Sequence, residues 1–154
     1  MDISDWLDQA AIVYRSSADS KSQALSVVAD AAARSLGLKA SDVFDALMDR
    51  EAQGSTGVGR GVAVPHARLP GLDRMRAVVV RLERPVPFNA LDDQPVDILF
   101  ALFAPETAKT EHLRALARVA RLLRQGDVRE RLRTAKSPDA VYAVLSRDSE
   151  ADAA

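Results

Sequence analysis

A chain of 154 residues, 47% hydrophobic and 28% charged, carries enough apolar material for a single core. Its 21 basic and 22 acidic side chains nearly cancel, which excludes a molecule-wide field of the kind that draws proteins to nucleic acid or membrane surfaces. Cysteine is absent, so disulfides, thiolate catalysis and cysteine-ligated clusters are excluded as well, and a reducing compartment fits.

The opening MDISDWLDQA is acidic, lacks a basic stretch followed by an apolar run, and no later segment approaches the length of a bilayer span. A cytoplasmic location without direct membrane insertion is expected. Ala11 to Ser17 carries β-branched and aromatic residues and predicts a strand, closed by the polar turn ADSK. Ala24, Val27, Val28, Ala31 and Leu36 then recur at helical spacing, with Gly37 placed to stop the helix. Ser41 is a candidate cap for a second helix, whose apolar residues Val43, Phe44, Ala46 and Leu47 lead toward Arg50 before Gly54 ends it.

Four of the seven glycines fall between Gly54 and Gly61, in GSTGVGRG, which predicts a shaped loop rather than regular structure. VAVPHARL, then Arg76 to Glu83 and Val96 to Phe103, are dense enough in apolar residues to be buried central strands. From Thr110, a candidate cap, the period turns helical. Leu113, Leu116, Ala120 and Leu123 form one stripe and Arg114, Arg118 and Arg121 another, ending at Gly126. Val128 to Ala135 predicts a short helix, and Ser137 before Pro138 is a cap and first-turn pair for a last one running to about Ser146. The acidic, alanine-rich end is expected to fray from about residue 148. Strands mixed with helices throughout predict one three-layer α/β domain over residues 1–154.

Two histidines occur, and both sit where chemistry could use them. His66 is read as ending an apolar strand. It follows Pro65, whose ring fixes its own φ and restricts Val64, and comes after a glycine loop whose N–H groups could face an anion. On spacing alone it reads equally as a histidine that merely ends a strand. His112 falls in the first turn of a helix, in a row with Leu116, Val119 and Leu123 that adjoins the apolar face. A helix N-terminus disfavours an imidazolium and favours an anion, so a neutral donor beside a phosphate suits it; a partly buried histidine with one backbone partner is the plainer reading.

Nucleotide motifs fail on residues. Gly59 is followed by Arg60 and Gly61 where a phosphate-binding loop needs Lys and then Ser or Thr, and Val62 stands where the dinucleotide fingerprint needs its third glycine. Ser55 lacks the Gly-x-Ser-x-Gly context of a hydrolase elbow, and neither a two-histidine metal spacing nor a carboxylate cluster is present. No cofactor or metal is expected. Between Thr110 and Lys136 eight basic residues outnumber three acidic ones, a solvated helix face without the aromatics that nucleic-acid binding would use.

The run REAQGSTGVGRGVAVPHAR, Arg50 to Arg68, resembles the active-site segment of the phosphotransferase-system (PTS) enzyme IIA family, in its fructose/mannitol and nitrogen-regulatory branch. The resemblance continues through FNALDDQPVDILFALFAP, Phe88 to Pro105, and TEHLRALARVARLL, Thr110 to Leu123. It implies a three-layer α/β/α sandwich around a small mixed β-sheet. It also implies a phosphohistidine intermediate, received from a small histidine-phosphorylated carrier protein, HPr or its nitrogen-branch paralogue. Carried over by position, His66 is the phosphorylation site, through Nε2; His112 is the second histidine that stabilises the transferring group; Arg50 is the arginine opening the segment; and Ser55 and Thr56 are the Ser-Thr pair, taken as phosphate-binding.

The absence of a fused carrier, membrane or cysteine-based domain favours the nitrogen-regulatory branch acting on regulated target proteins. The alternatives are a sugar-specific IIA that passes phosphate to a IIB component, and a non-catalytic regulatory binding module. The carrier is expected to dock on a shallow apolar rim around His66 that includes Val58, Val62 and Leu69.

Overall fold

The computed structural model describes residues 2–153, with side chains described as far as 146. Six strands form one mixed sheet. β1 (Leu7–Ser16) is an edge strand, parallel to β5 (Arg76–Val86), and β5 pairs antiparallel with β6 (Val96–Pro105). Along the other side of β6 run β3 (Val62–Ala63) and β4 (His66–Leu69), both parallel to it, and β2 (Gly57–Gly59) closes that edge antiparallel to β3.

β5 and β6 are buried on both faces over most of their length, with Val80, Leu99, Phe100 and Phe103 fully inaccessible. Strands of this kind must be covered on both sides, and the helices do so. α2 (Lys21–Leu36) and α3 (Ala40–Glu51) pack together as one layer, with α2 also on β1 and β5 and α3 on β4. The short α1 (Ile3–Trp6), α4 (Lys109–Leu123), α5 (Gly126–Thr134) and α6 (Pro138–Ala153) form the other. The expected three-layer α/β/α sandwich around a small mixed sheet is the architecture observed. Each fully buried Phe or Leu contributes about 1.5–3 kcal/mol of transfer free energy, so β5 and β6 dominate the core. No helix among the described residues is long and apolar enough to cross a membrane.

Local signals and outcomes agree where the cause is local. Gly37 ends α2 in the left-handed region (φ +70°), its N–H donating to Ala33 O at 3.1 Å, as a C-terminal glycine does. Ser137 Oγ accepts from Ala140 N at 3.1 Å ahead of Pro138.

Elsewhere the structure corrects the sequence expectation. β1 starts at Leu7 rather than Ala11, after a single helical turn held by a reciprocal Asp2–Asp5 capping box. Neither Ser41 nor Thr110 is a cap: α3 and α4 begin two residues earlier than those caps would place them, after Lys39 and Ala108, without side-chain caps. The glycine-rich stretch is not wholly irregular, since it contains β2. VAVPHARL is two strands rather than one, so His66 begins β4 instead of ending a strand. Proline has no N–H for a ladder, and pairing with β6 breaks at Val64–Pro65 before resuming. In α4 the buried stripe is His112, Ala115, Val119, Leu122 and Leu123, while Leu113, assigned to it by period, is 69% exposed. α6 continues to Ala153, and the side chains of the end expected to fray from about 148 lie outside the described residues.

A paired-histidine groove as candidate active site

Three elements that are distant in the chain meet at one end of β6. α3 delivers Arg50 from its last turn, and β4 starts at His66, opposite Leu102 of β6. β6 ends at Pro105 and leads into α4, whose first turn carries His112. Between them lies an open groove of about 810 Å³, lined by Arg50, His66 and His112 together with Arg68, Lys109, the acidic Asp49 and Glu106, and the apolar Leu113 and Leu116.

The protonation pattern of His66 follows from its partners. Nδ1 lies 2.9 Å from Val64 O, and a carbonyl can only accept, so Nδ1 carries the proton. Arg50 Nε donates to Nε2 at 3.0 Å, which requires a lone pair there. The half-buried ring therefore presents an unprotonated Nε2 toward Arg50, whose Nη1 is held by Gly54 O at 2.8 Å. The His112 ring lies edge-on, with centroids 5.3 Å apart and planes at 81°. His112 is 8% exposed, and its Nε2 has no hydrogen-bond partner among the described residues.

Both imidazoles are held neutral. Burial is the largest influence lowering the His66 pKa and the Arg50 charge adds to it, against the Val64 hydrogen bond and the Glu51 charge, which raise it. His112 is pushed down to about 4, mainly by burial and further by His66 and Arg68. Because the unfolded state binds the proton more readily, the stability tied to neutral His112 is complete above the ordinary value of 6.5 and is lost as pH falls toward about 4. In His112→Gln the loss of thermal stability over that window is expected to be shallower than in wild type. Parallel Tm-against-pH curves for the two proteins would contradict this.

Arg50, His66 and His112 thus converge as the sequence reading had them. Ser55 and Thr56 do not reach the groove. Ser55 Oγ donates to Phe88 O at 2.7 Å, and Thr56 Oγ1 donates to Glu51 Oε2 at 2.6 Å in a buried setting. The glycine loop likewise spends N–H groups internally, Gly57 on Ser55 Oγ and Arg60 on Asp92, instead of facing His66.

The apolar rim also differs from expectation. Val62 and Leu69 are core residues, and Val58, 45% exposed, does not line the groove; Ala46, Leu113 and Leu116 do. Glu51, which the sequence reading passed over, is a buried carboxylate paired with Lys21 Nζ at 2.9 Å. A carboxylate directly after Arg50 and five residues before Thr56 was the available signal.

The fold and site together define a class: an α/β protein with a neutral histidine at an open groove, set among charged and hydrogen-bonding groups that could hold an anionic group. Residues 5–148 match the family described as phosphoenolpyruvate-dependent sugar phosphotransferase system, EIIA 2. The chain is similar to the nitrogen regulatory protein of Bradyrhizobium diazoefficiens, 44% identical over 146 residues, 95% of each chain. It is also similar to the crystal structure of nitrogen regulatory protein IIA-Ntr from Neisseria meningitidis, with a TM-score of 0.87 and 37% identity over 93% of this chain and 98% of that one. The crystal structure of IIA mannitol from Escherichia coli shares the fold at a TM-score of 0.74 and 23% identity, over 90% and 97% of the two chains. The chain belongs to the EIIA 2 family of the phosphotransferase system. It is a phosphoryl-carrier component of that family, and its similarity is to the nitrogen regulatory proteins.

Proposed function

We propose that this protein accepts a phosphoryl group on Nε2 of His66 from a histidine-phosphorylated carrier of the HPr type, and that its phosphorylation state regulates other proteins in the cytoplasm. The observation that carries the reading is the unprotonated Nε2, set by the Val64 carbonyl on the opposite nitrogen and faced by Arg50. In the step, the Nε2 lone pair forms the new N–P bond while the carrier's N–P bond breaks, its electron pair returning to the carrier nitrogen. The proton stays on Nδ1, donated to Val64 O throughout, so the phosphorylated ring bears the positive charge. Arg50 swings its N–H groups from Nε2 to the phosphoryl oxygens, and the neutral His112 ring donates its N–H to one of them. Phosphoryl transfer depends on alignment and charge compensation of this kind more than on further covalent chemistry.

The test is transfer from a pre-phosphorylated carrier, followed by stopped flow with and without excess chelator, with ³¹P NMR assigning the bond. A single Nε2-phosphohistidine at His66, formed at the same rate with chelator, is the expected result, since Arg50 and His112 take the role that magnesium has in nucleotide sites. Phosphate on another residue would overturn the acceptor. Arrest by chelator and rescue by magnesium, with the carrier still phosphorylated, would overturn the charge-compensation scheme.

A further inference from the structure

His66 is the end of a chain of hydrogen bonds that starts at Glu51. The Glu51 carboxylate accepts from Thr56 N at 2.7 Å and from Thr56 Oγ1 at 2.6 Å. Thr56 O in turn accepts from Val64 N at 2.9 Å, and Val64 O accepts from His66 Nδ1 at 2.9 Å. On the other side of the ring Nε2 accepts from Arg50, the residue covalently joined to Glu51, and Arg50 Nη1 is anchored on Gly54 O. The Nδ1 arm therefore leads through Val64 and Thr56 to the Glu51 carboxylate, while the Nε2 arm meets Glu51 only along the backbone, through its neighbour Arg50.

The carboxylate is itself clamped. Lys21, from the first turn of α2, pairs with Glu51, donates to Phe88 O at 3.3 Å, and sits 4.7 Å from the centroid of the Phe88 ring. Ser55 Oγ reaches the same Phe88 carbonyl. The Glu51 side chain is only 4% exposed, and a buried carboxylate with one cation and two hydrogen-bond donors has a single well-defined position.

We infer that Glu51, held by Lys21 and Thr56, is a positioning residue that fixes the tautomer and orientation of His66. The inference rests on the reading of His66 as phosphoryl acceptor. Glu51 also acts electrostatically on the His66 ring, which becomes cationic on phosphorylation, as does Arg50; Asp49 from α3, Arg68 from β4, Glu106 from the connection after β6, and Lys109 with the neutral His112 from α4 line the same groove. The Glu51 charge favours the cationic ring by ordinary Coulomb attraction. Ser55 and Thr56 acquire a role here that their distance from the groove denies them as direct phosphate ligands.

The experiment reads ring ¹⁵N shifts of His66 in the full chain alongside transfer kinetics. In Glu51→Gln one acceptor and the charge are lost. The His66 shifts are expected to move from a single Nδ1–H tautomer toward a mixture, and transfer from the phosphorylated carrier to slow by about 10- to 100-fold, the loss usual for groups that orient a reacting side chain. Thr56→Ser keeps both donors and should hold both readouts near wild type, whereas Thr56→Val should move them in the direction of Glu51→Gln. If Glu51→Gln shows no cooperative melting, Lys21→Met and Thr56→Val carry the same two readouts. Wild-type ring shifts or wild-type transfer rates in the folded variants overturn the inference, whatever happens to Tm, because a merely structural carboxylate would change stability alone. The shifts need no phosphoryl donor, so failure of His66 as the acceptor is distinguishable from failure of the bracing.

Discussion

His66→Ala is expected to abolish acid-labile, base-stable phosphorylation by the carrier while leaving the fold intact. The ring is half-buried at the mouth of an open groove, and its two bonds go to a carbonyl and a guanidinium that water can serve in its place. The core strands β5 and β6 do not depend on it. His112 cannot take over as nucleophile: its Nε2 is buried, and the ring has no carbonyl partner in the structure that would fix a nucleophilic tautomer as Val64 does for His66. Loss of more than a thousandfold in rate, on the order of 4 kcal/mol of barrier or greater, is the expected size of the effect. Circular dichroism and the melting profile confirm folding; undiminished phosphate incorporation in that folded protein sinks the assignment.

Removing the charge partner is the second large effect. Arg50→Ala is expected to slow transfer by about ten- to a thousand-fold, the range for losing one or two donors that strengthen in a transition state, and His112→Ala falls within the same range. Both side chains stand in contact range, Arg50 Nε at 3.0 Å from His66 Nε2 and the His112 ring centroid at 5.3 Å from that of His66. Arg50→Lys should recover little, because an ammonium cannot hold Gly54 O and the phosphoryl oxygens with the geometry of a planar fork.

The pH profile separates this role from a loss of packing. After burial, which dominates, Arg50 is among the groups that lower the His66 pKa. Without its charge the pKa rises, so the acid limb of the transfer rate should move to higher pH in Arg50→Ala. Rates within error of wild type for both variants, or an unmoved acid limb in Arg50→Ala, would remove these residues from the proposed scheme.

Much of the fold was legible because its causes are local. The apolar runs of β5 and β6 announce strands buried on both faces, Gly37 is read correctly as a helix stop, and Ser137 with Pro138 as a helix start. The candidate nucleophile was legible for a related reason. A histidine directly after a proline and shortly after a glycine-rich loop stands out in a chain with two histidines and no cysteine.

Period alone placed Leu113 on the buried face of α4. Its 69% exposure was set by what the helix packs against, and residues adjacent on a helical wheel can fall on either side of that boundary. A hydroxyl has no preferred partner in sequence, so Ser55 and Thr56 could be read as phosphate ligands until Phe88 and Glu51 proved to be their acceptors. The Nε2 lone pair depends on where one carbonyl and one guanidinium arrive. These contacts, and the hydrogen bonds that lead from Val64 to Glu51, join α2, α3, the glycine loop, β4 and the connection after β5. Such long-range pairings carry no periodic or compositional mark in the chain, and they exist only once β6 has drawn β4 and α4 to the same end of the sheet.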